Sequence, residues 1–345
     1  MEDAQQLVWR GAIPLQIHLH ESEVTTLPPP PPVHILAPRI GYLPLLVPQI
    51  KPHFDNALPP GVDTVWFDYK GLPLKWFIPT GVLFDLLCPE PERPWNLTVH
   101  FRGYPANLLL PWEGEDSIKW SFINDLKEAA YIINGNCKSV MNMSQADQHD
   151  LWHSVLNGDL ETYLLVSTKL RLGMEEGHTV NLDSMSRKQE NEISGQVKSG
   201  KIPIRLYVRC VTENFDDLDE VPRLDNWDRL HYINQPVEIL QEEGKYFSME
   251  DAIGTLLPEV FVKNTVSEEV ADGAEGEEQK EAGKDSRRRE PRVCLGGAAE
   301  LKLLRVQGIE PQLDIPFSWV ASNLVHPERF LHVCALIRAD RENTA

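Results

Sequence analysis

Two histidines with an acid between them, in His149-Asp150-Leu151-Trp152-His153, stand at i and i+4, one turn apart on a helix face. Imidazoles at that spacing can hold a zinc ion while the intervening acid serves as general base, the chemistry of helix-borne metallohydrolases. Here the acid is Asp, whose shorter side chain holds its carboxylate farther from a metal-bound water, and no third ligand follows in sequence. The pair therefore reads first as a solvated helix face, with a zinc-dependent hydrolase as the alternative; His18 and His20, on one face of a strand, read the same way. A second pattern is Trp120, Asn124, Lys127 and Tyr131 at i, i+4, i+7 and i+11, a stripe on one side of a helix. Two readings are open for it: aromatic packing against a neighbouring domain, or an accessible lysine framed by aromatics on a surface that receives another protein. The five cysteines, Cys88, Cys137, Cys210, Cys294 and Cys334, never take C-x-x-C spacing, so they read as reduced thiols, mostly in strands, without a zinc cage. No G-x-G-x-x-G, G-x-x-x-x-G-K-[ST] or G-x-S-x-G occurs, and no nucleophile, base and oxyanion hole assemble.

Charge narrows the partners. The 345 residues carry 33 Lys and Arg against 52 Asp and Glu, a net charge of −19. A nucleic-acid binder draws its affinity from clustered basic residues that release counterions, so that class is disfavoured. Any membrane contact must use a local patch or a partner, and the Arg287 to Arg289 run reads as neutralising the acids beside it. The sequence has no uninterrupted apolar window of the roughly 20 residues a spanning helix needs, and its first residues lack the basic-then-apolar layout of a secretory signal. A cytoplasmic or nuclear location is the expectation.

Proline sets the organisation that must position these residues. Of 27 prolines, 19 lie in the first 111 residues and none between Trp112 and Ile202. Interior proline costs a helix roughly 3 kcal/mol, so continuous helices belong in that proline-free middle. Before it, strands are expected near Ile13 to His20, Val33 to Leu36, Thr64 to Tyr69, from the Lys70-Gly71 turn to Phe77, and Asn96 to Arg102, with a proline-bent helix in Tyr42 to Leu58 and a helical LFDLL turn. Between the first two strands, Pro28 to Pro32 reads as a stiff polyproline II loop, a spacer or a ligand for a proline-reading domain. This is the β-grasp order of ubiquitin, and the chain after Ile202 repeats it. Gly71 and Gly308 each follow a strand and each precede by eight residues a proline, Pro79 or Pro316, that opens a short apolar helix. In the middle, Ile118, Phe122, Leu126, Ala129, Ala130 and Ile133 form one buried stripe about 120° wide, and Ser144 is an N-cap candidate with Asp147 at N3. The reading is α+β: a first ubiquitin-like β-grasp domain at 1–111, a helix-rich domain at 112–173 and a polar linker at 174–201. A second β-grasp domain follows at 202–340, with a disordered acidic insertion at 264–292.

At VWRGAIPLQI (Val8 to Ile17), LAPRIGYLPLL (Leu36 to Leu46), WFDYKGLPLKWFIPTGVLFDLL (Trp66 to Leu87), PWNLTVHF (Pro94 to Phe101), DLKEA (Asp125 to Ala129), IPIRLYV (Ile202 to Val208) and VQGIEPQLDIPFSWVASNLVHPERFLHV (Val306 to Val333), the chain resembles the autophagy protein 5 family. The resemblance implies two ubiquitin-like domains flanking a helical one, with no catalytic residue, metal or cofactor of its own. It implies that Lys127, in Lys127-Glu128-Ala129, accepts the C-terminal glycine of the ubiquitin-like modifier autophagy protein 12 through an isopeptide bond, with conjugating enzymes supplying the reactive cysteines. Trp120, Asn124 and Tyr131 would then face the modifier. An amphipathic helix of autophagy protein 16 would lie in a groove between the domains, for which Arg39, Tyr42, Phe84 and Leu87 are the candidates. The assembled conjugate would act like a ligase in attaching autophagy protein 8 to phosphatidylethanolamine, recruited from the cytoplasm to the preautophagosomal membrane. The polyproline loop, the linker and the acidic insertion depart from shorter family members. The alternatives are the hydrolase built on His149 and His153, or a β-grasp adaptor that is never modified.

Overall fold

The computed structural model describes residues 4–172, 200–212, 215–239, 246–258, 260 and 299–339. The insertion expected at 264–292, the linker expected at 174–201 except its last two residues, and Cys294 lie outside them.

In the first domain, helix α1 (Ala4–Trp9) precedes strands β1 (Ala12–Leu19) and β2 (Val33–Pro38). A 3₁₀ turn at Leu43–Leu46 runs into α2 (Val47–Phe54), which carries the expected proline, Pro52, inside it. Short strands β3 (Trp66–Tyr69) and β4 (Leu72–Pro73), helix α3 (Thr80–Leu87) and β5 (Trp95–His100) complete the unit. The sheet order is β2-β1-β5-β3-β4, with β1 and β5 parallel and the other pairs antiparallel, the mixed sheet of a β-grasp. Alternate residues of β1 (Ile13, Leu15, Ile17) join Ile50 and Phe54 of α2, Leu83 of α3 and Trp95, Leu97 and Val99 of β5 in one core.

The proline-free stretch is helical as its period requires. Helix α4 (Gly114–Asn134) ends at Gly135, whose φ of 72° is the left-handed cap that favours glycine. A short α5 (Lys138–Met141) leads to α6 (Gln145–Asn157) and α7 (Leu160–Lys169). Ser144 caps α6 as expected, its hydroxyl accepting from the Asp147 N–H at 3.1 Å. Ile118, Phe122, Leu126 and Ala130 meet Leu151, Trp152 and Val155 across the helices; Ile123, outside the expected stripe, is also buried, and Ile133 is only half-buried.

The last domain consists of β6 (Lys201–Val211), β7 (Leu230–Glu238), α8 (Met249–Leu256), β8 (Ala299–Arg305), α9 (Phe317–Asn323) and β9 (Leu331–Ala339), in sheet order β7-β6-β9-β8. It repeats the first unit in detail. Lys70-Gly71 and Gln307-Gly308 both turn with positive φ at both residues (53° and 89°, 54° and 77°), and Pro79 and Pro316 take the same place before α3 and α9. In place of a counterpart to β4 there is a single bridge between Val306 and Ile309.

The three domains share their interiors. Val8 of α1 enters the last domain's core while its neighbour Trp9 enters the helical core beside Tyr163, a tie that the sequence pattern did not announce. Strand β6 is buried on both faces: Ile204, Leu206 and Val208 face their own core, while Tyr207 packs with Cys334 into the first domain. Of the four described cysteines Cys210 and Cys334 lie in strands as expected, while Cys88 follows α3 and Cys137 precedes α5.

Candidate functional site

Helix α4 carries two polar surfaces. Its core stripe fixes the helix, and about 100° per residue then places Lys127 and Asp125 some 200° apart. On one side stand Trp120 and Tyr131, 51% and 63% exposed, with Asn124 exposed and Lys127 half-exposed between them. Both aromatics thus keep more than half of their surface open. The Lys127 ammonium donates to Asn124 Oδ1 at 3.3 Å, and among the described residues no carboxylate lies within ion-pairing distance of it. The nearby lysines differ: Lys119 is half-buried beside the core stripe, and Lys138 is exposed beyond the Gly135 cap.

The acids that flank Lys127 in sequence are engaged on the other side. Arg205 of β6 donates to Asp125 Oδ1 at 2.6 Å, to Glu128 Oε2 at 3.1 Å and to Glu328 Oε1 at 3.0 Å. Asn234 of β7 holds the other Glu128 oxygen at 2.8 Å. Glu328, fully buried, also accepts from the Tyr42 hydroxyl at 2.9 Å and from His332 Nε2–H at 2.7 Å, while Tyr207 and His332 Nδ1 lie 3.2 Å apart. His326 Nε2–H donates to the Ile40 carbonyl at 3.1 Å. This cluster joins all three domains: Tyr42 from the first, Asp125 and Glu128 from the helices, Arg205, His326, Glu328 and His332 from the last.

Burial and neighbours set its charges. Burial pushes the Asp125 carboxyl up to about 7, reinforced by the Glu328 carboxylate and opposed by Arg205. Burial alone would raise Glu328, but His332 and His326, which carry charge only in the acid range where this carboxyl would titrate, and Arg205 outweigh burial and hold the group well below its usual range. Burial pulls His326 down to about 4 and lowers His332 too, so both imidazoles are neutral at pH 7. Burial also pulls on Arg205, yet Glu328 and Asp125 raise it above its ordinary value.

Among the described residues the trio His326, Glu328 and His332 is the group whose donor atoms, all within 4.8 Å of one another, could hold a metal ion. Its donors are already hydrogen-bonded, and the Arg205 guanidinium against Glu328 repels a second cation. His149 and His153, by contrast, are exposed and stack ring on ring at 4.0 Å, and Asp150 turns back to His149 at 3.5 Å; no third ligand joins them among the described residues.

The groove candidates sit elsewhere than expected. Tyr42, Phe84 and Leu87 are buried, Phe84 against the Trp95 ring in the first core. Arg39 pairs with Asp85, whose carboxylate also accepts from the Gly308 N–H at 2.7 Å, so it seals the joint between the two ubiquitin-like domains. These four residues offer no open groove: Phe84 and Leu87 belong to the first domain's own core, and the last domain meets α3 at Val82 and Asp85, so α3 is buried along its whole length. A Phe84→Asp substitution would therefore report on folding and not on partner binding. The buried cluster was missed altogether; the hint was Arg205 and Arg209 in a strand otherwise apolar on both faces.

No helix among the described residues is long and apolar enough to cross a membrane. Sequence models of Autophagy protein ATG5 match the chain in order: the UblA domain at residues 8–101, the alpha-helical bundle region at 115–173 and the UblB domain at 201–335. The chain is 56% identical over 348 residues to Autophagy protein 5 of Arabidopsis thaliana, covering 98% of each. It is 52% identical over 357 residues to that of Oryza sativa subsp. indica, covering 97% of this chain and 94% of the relative. The crystal structure of Kluyveromyces marxianus Atg5 has the same fold, with a TM-score of 0.63 over 97% of this chain and 99% of that one at 19% identity. Two ubiquitin-like domains around a helical bundle, matched over nearly the full length, make this chain a plant-type member of the autophagy protein 5 family, with a role in autophagy.

Proposed function

We propose that the chain is a scaffold of autophagosome formation, itself without catalytic residues, that is joined through Lys127 to autophagy protein 12. The observation that carries this reading is the state of the Lys127 amine: half-exposed, framed by exposed Trp120, Asn124 and Tyr131, and without a carboxylate partner among the described residues although acids flank it in sequence. An amine attacks a thioester only after losing a proton, and a salt bridge would favour the protonated form. Arg205 draws Asp125 and Glu128 to the opposite side, which leaves the amine to the incoming enzyme. Its nitrogen forms the new bond to the modifier's terminal carbonyl, the enzyme thiolate leaves, and the amine proton passes to solvent or to a group of the enzyme.

The partners follow from the same reading: conjugating enzymes transiently, autophagy protein 16 as a non-covalent helix, and a membrane reached through the complex. Together they promote lipidation of autophagy protein 8. With Tyr42, Phe84 and Leu87 buried, the helix must use other surfaces where the three domains meet. The test is Lys127→Arg, which keeps charge and nearly the length but presents a group that stays protonated. Immunoblots of cells expressing it should lack the modifier-sized enlargement, with the chain still folded and lipidation lost. An enlarged band that persists in Lys127→Arg, or that vanishes in Lys138→Arg, overturns the assignment.

A further inference from the structure

We propose that the run from Leu27 to Pro32 is a docking motif for a partner domain that reads bare polyproline through an aromatic-lined groove. The run links β1 to β2 in the first domain and has no part in the conjugation reading. Proline fixes φ near −65°, so consecutive prolines hold the extended, three-residue-per-turn helix that such grooves accept. Pro28 and Pro31, one turn apart on one side of it, are both exposed, as is Pro29, while Pro30 and Pro32 are half-buried against the domain. Leu27 is 96% exposed, a large apolar side chain that belongs to none of the cores. The carbonyls of Pro29, Pro30 and Pro31 accept no hydrogen bond among the described residues and are available to ring N–H and hydroxyl donors of a groove.

The frame around the run is fixed. Buried Glu23 accepts from the Phe101 and Arg102 N–H groups at 2.7 and 3.1 Å, Thr25 is tied through its N–H and hydroxyl to the Ala57 carbonyl at 2.9 and 2.8 Å, and Val33 pairs with Ile17. A stiff ligand on a fixed frame loses little entropy on docking. The flanks choose among readers. Thr25 and Thr26 before the run and Val33 and His34 after it supply no Arg or Lys, the residue that orients a ligand in an SH3 groove. A groove that grips proline rings without a basic flank is the match.

Titration of the full chain with profilin, which takes bare proline runs, tests the proposal, with an SH3 domain alongside. Profilin should bind, and Pro29→Ala/Pro31→Ala should weaken binding by about tenfold or more while the melting temperature stays put, since the run lies outside the cores. Leu27→Ala should weaken it less. Absence of profilin binding, binding undiminished in the proline variant, or tighter binding of the SH3 domain would each overturn the proposal.

Discussion

Asp125 and Lys127 stand two positions apart on the same helix and live in opposite electrostatic worlds. Asp125 is drawn into a buried ion cluster with Arg205 and Glu328; Lys127 faces outward and, among the described residues, bonds to the neutral Asn124 and to no carboxylate. The first face converts charge into position. A buried ion pair gains little net stability over apolar packing, but its geometry is exacting, and here it fixes how three domains meet. The second face keeps its charge unspent and its aromatics bare, because a surface that must accept another protein cannot be consumed by its own fold.

The widest gap between the two faces appears on removing a cation from each. Arg205→Ala leaves Glu328 and Asp125 buried without their counter-charge, and breaking such a cluster costs about 3 to 5 kcal/mol. Lys127→Ala removes a half-exposed side chain with one long hydrogen bond and should stay within about 0.5 kcal/mol of the parent. Urea midpoints of the two variants measure the contrast; equal midpoints would mean that the cluster does not hold the domains together.

Proton linkage sharpens it further. Between about pH 6.5 and 4 the unfolded chain binds a proton on His326 that the buried, neutral imidazole refuses, and His332, lowered by burial too, acts in the same direction, so their contribution is present above pH 6.5 and is lost as pH falls. Asp125 works in the other direction: with its folded value raised to about 7, the native state takes up a proton first, and stability rises as pH falls from 7 toward 4. The two trends oppose each other in the parent chain. Asp125→Asn deletes the compensating one, so its melting temperature should fall more steeply between pH 6.5 and 4 than the parent's. Parallel curves would show that Asp125 is not raised.

Local pattern carried the fold a long way. The alternation in Ile13 to His20, the proline-free helical stretch, the Ser144 cap and the paired glycine turns all rest on physics acting within a few residues, and each is found where its residues place it. The same kind of signal put Trp120, Asn124 and Tyr131 on the bare side of α4. What pattern could not supply is which domain covers which face. Phe84 and Leu87 look the same in sequence whether they line an open groove or fill a closed core. Helix α1 is too short to show a period, yet Val8 and Trp9 enter two different cores. His326, Glu328 and His332 become a cluster only when Arg205 and Tyr42 arrive from 121 or more positions away, the chain separation from Arg205 to His326.

The paired glycine turns allow that last point to be measured. Gly71 and Gly308 share a left-handed φ, 89° and 77°, so a side chain at either carries backbone strain of about 1 to 2 kcal/mol. Around Gly71 a Cβ would meet nothing within 4 Å, whereas at Gly308 it would lie 2.7 Å from the Arg39 guanidinium carbon. Arg39 could yield only by loosening its pair with Asp85, which also anchors the Gly308 N–H. Gly308→Ala should therefore cost more than Gly71→Ala by about 1 kcal/mol or more, the excess being the price of disturbing a domain joint and not a turn. Adding Asp85→Ala to each variant makes the comparison a double-mutant cycle: coupling is expected with Gly308→Ala and absent with Gly71→Ala. Equal costs for the two glycines, or no coupling at Gly308, would mean that the second domain's turn sits on the first without being held by it.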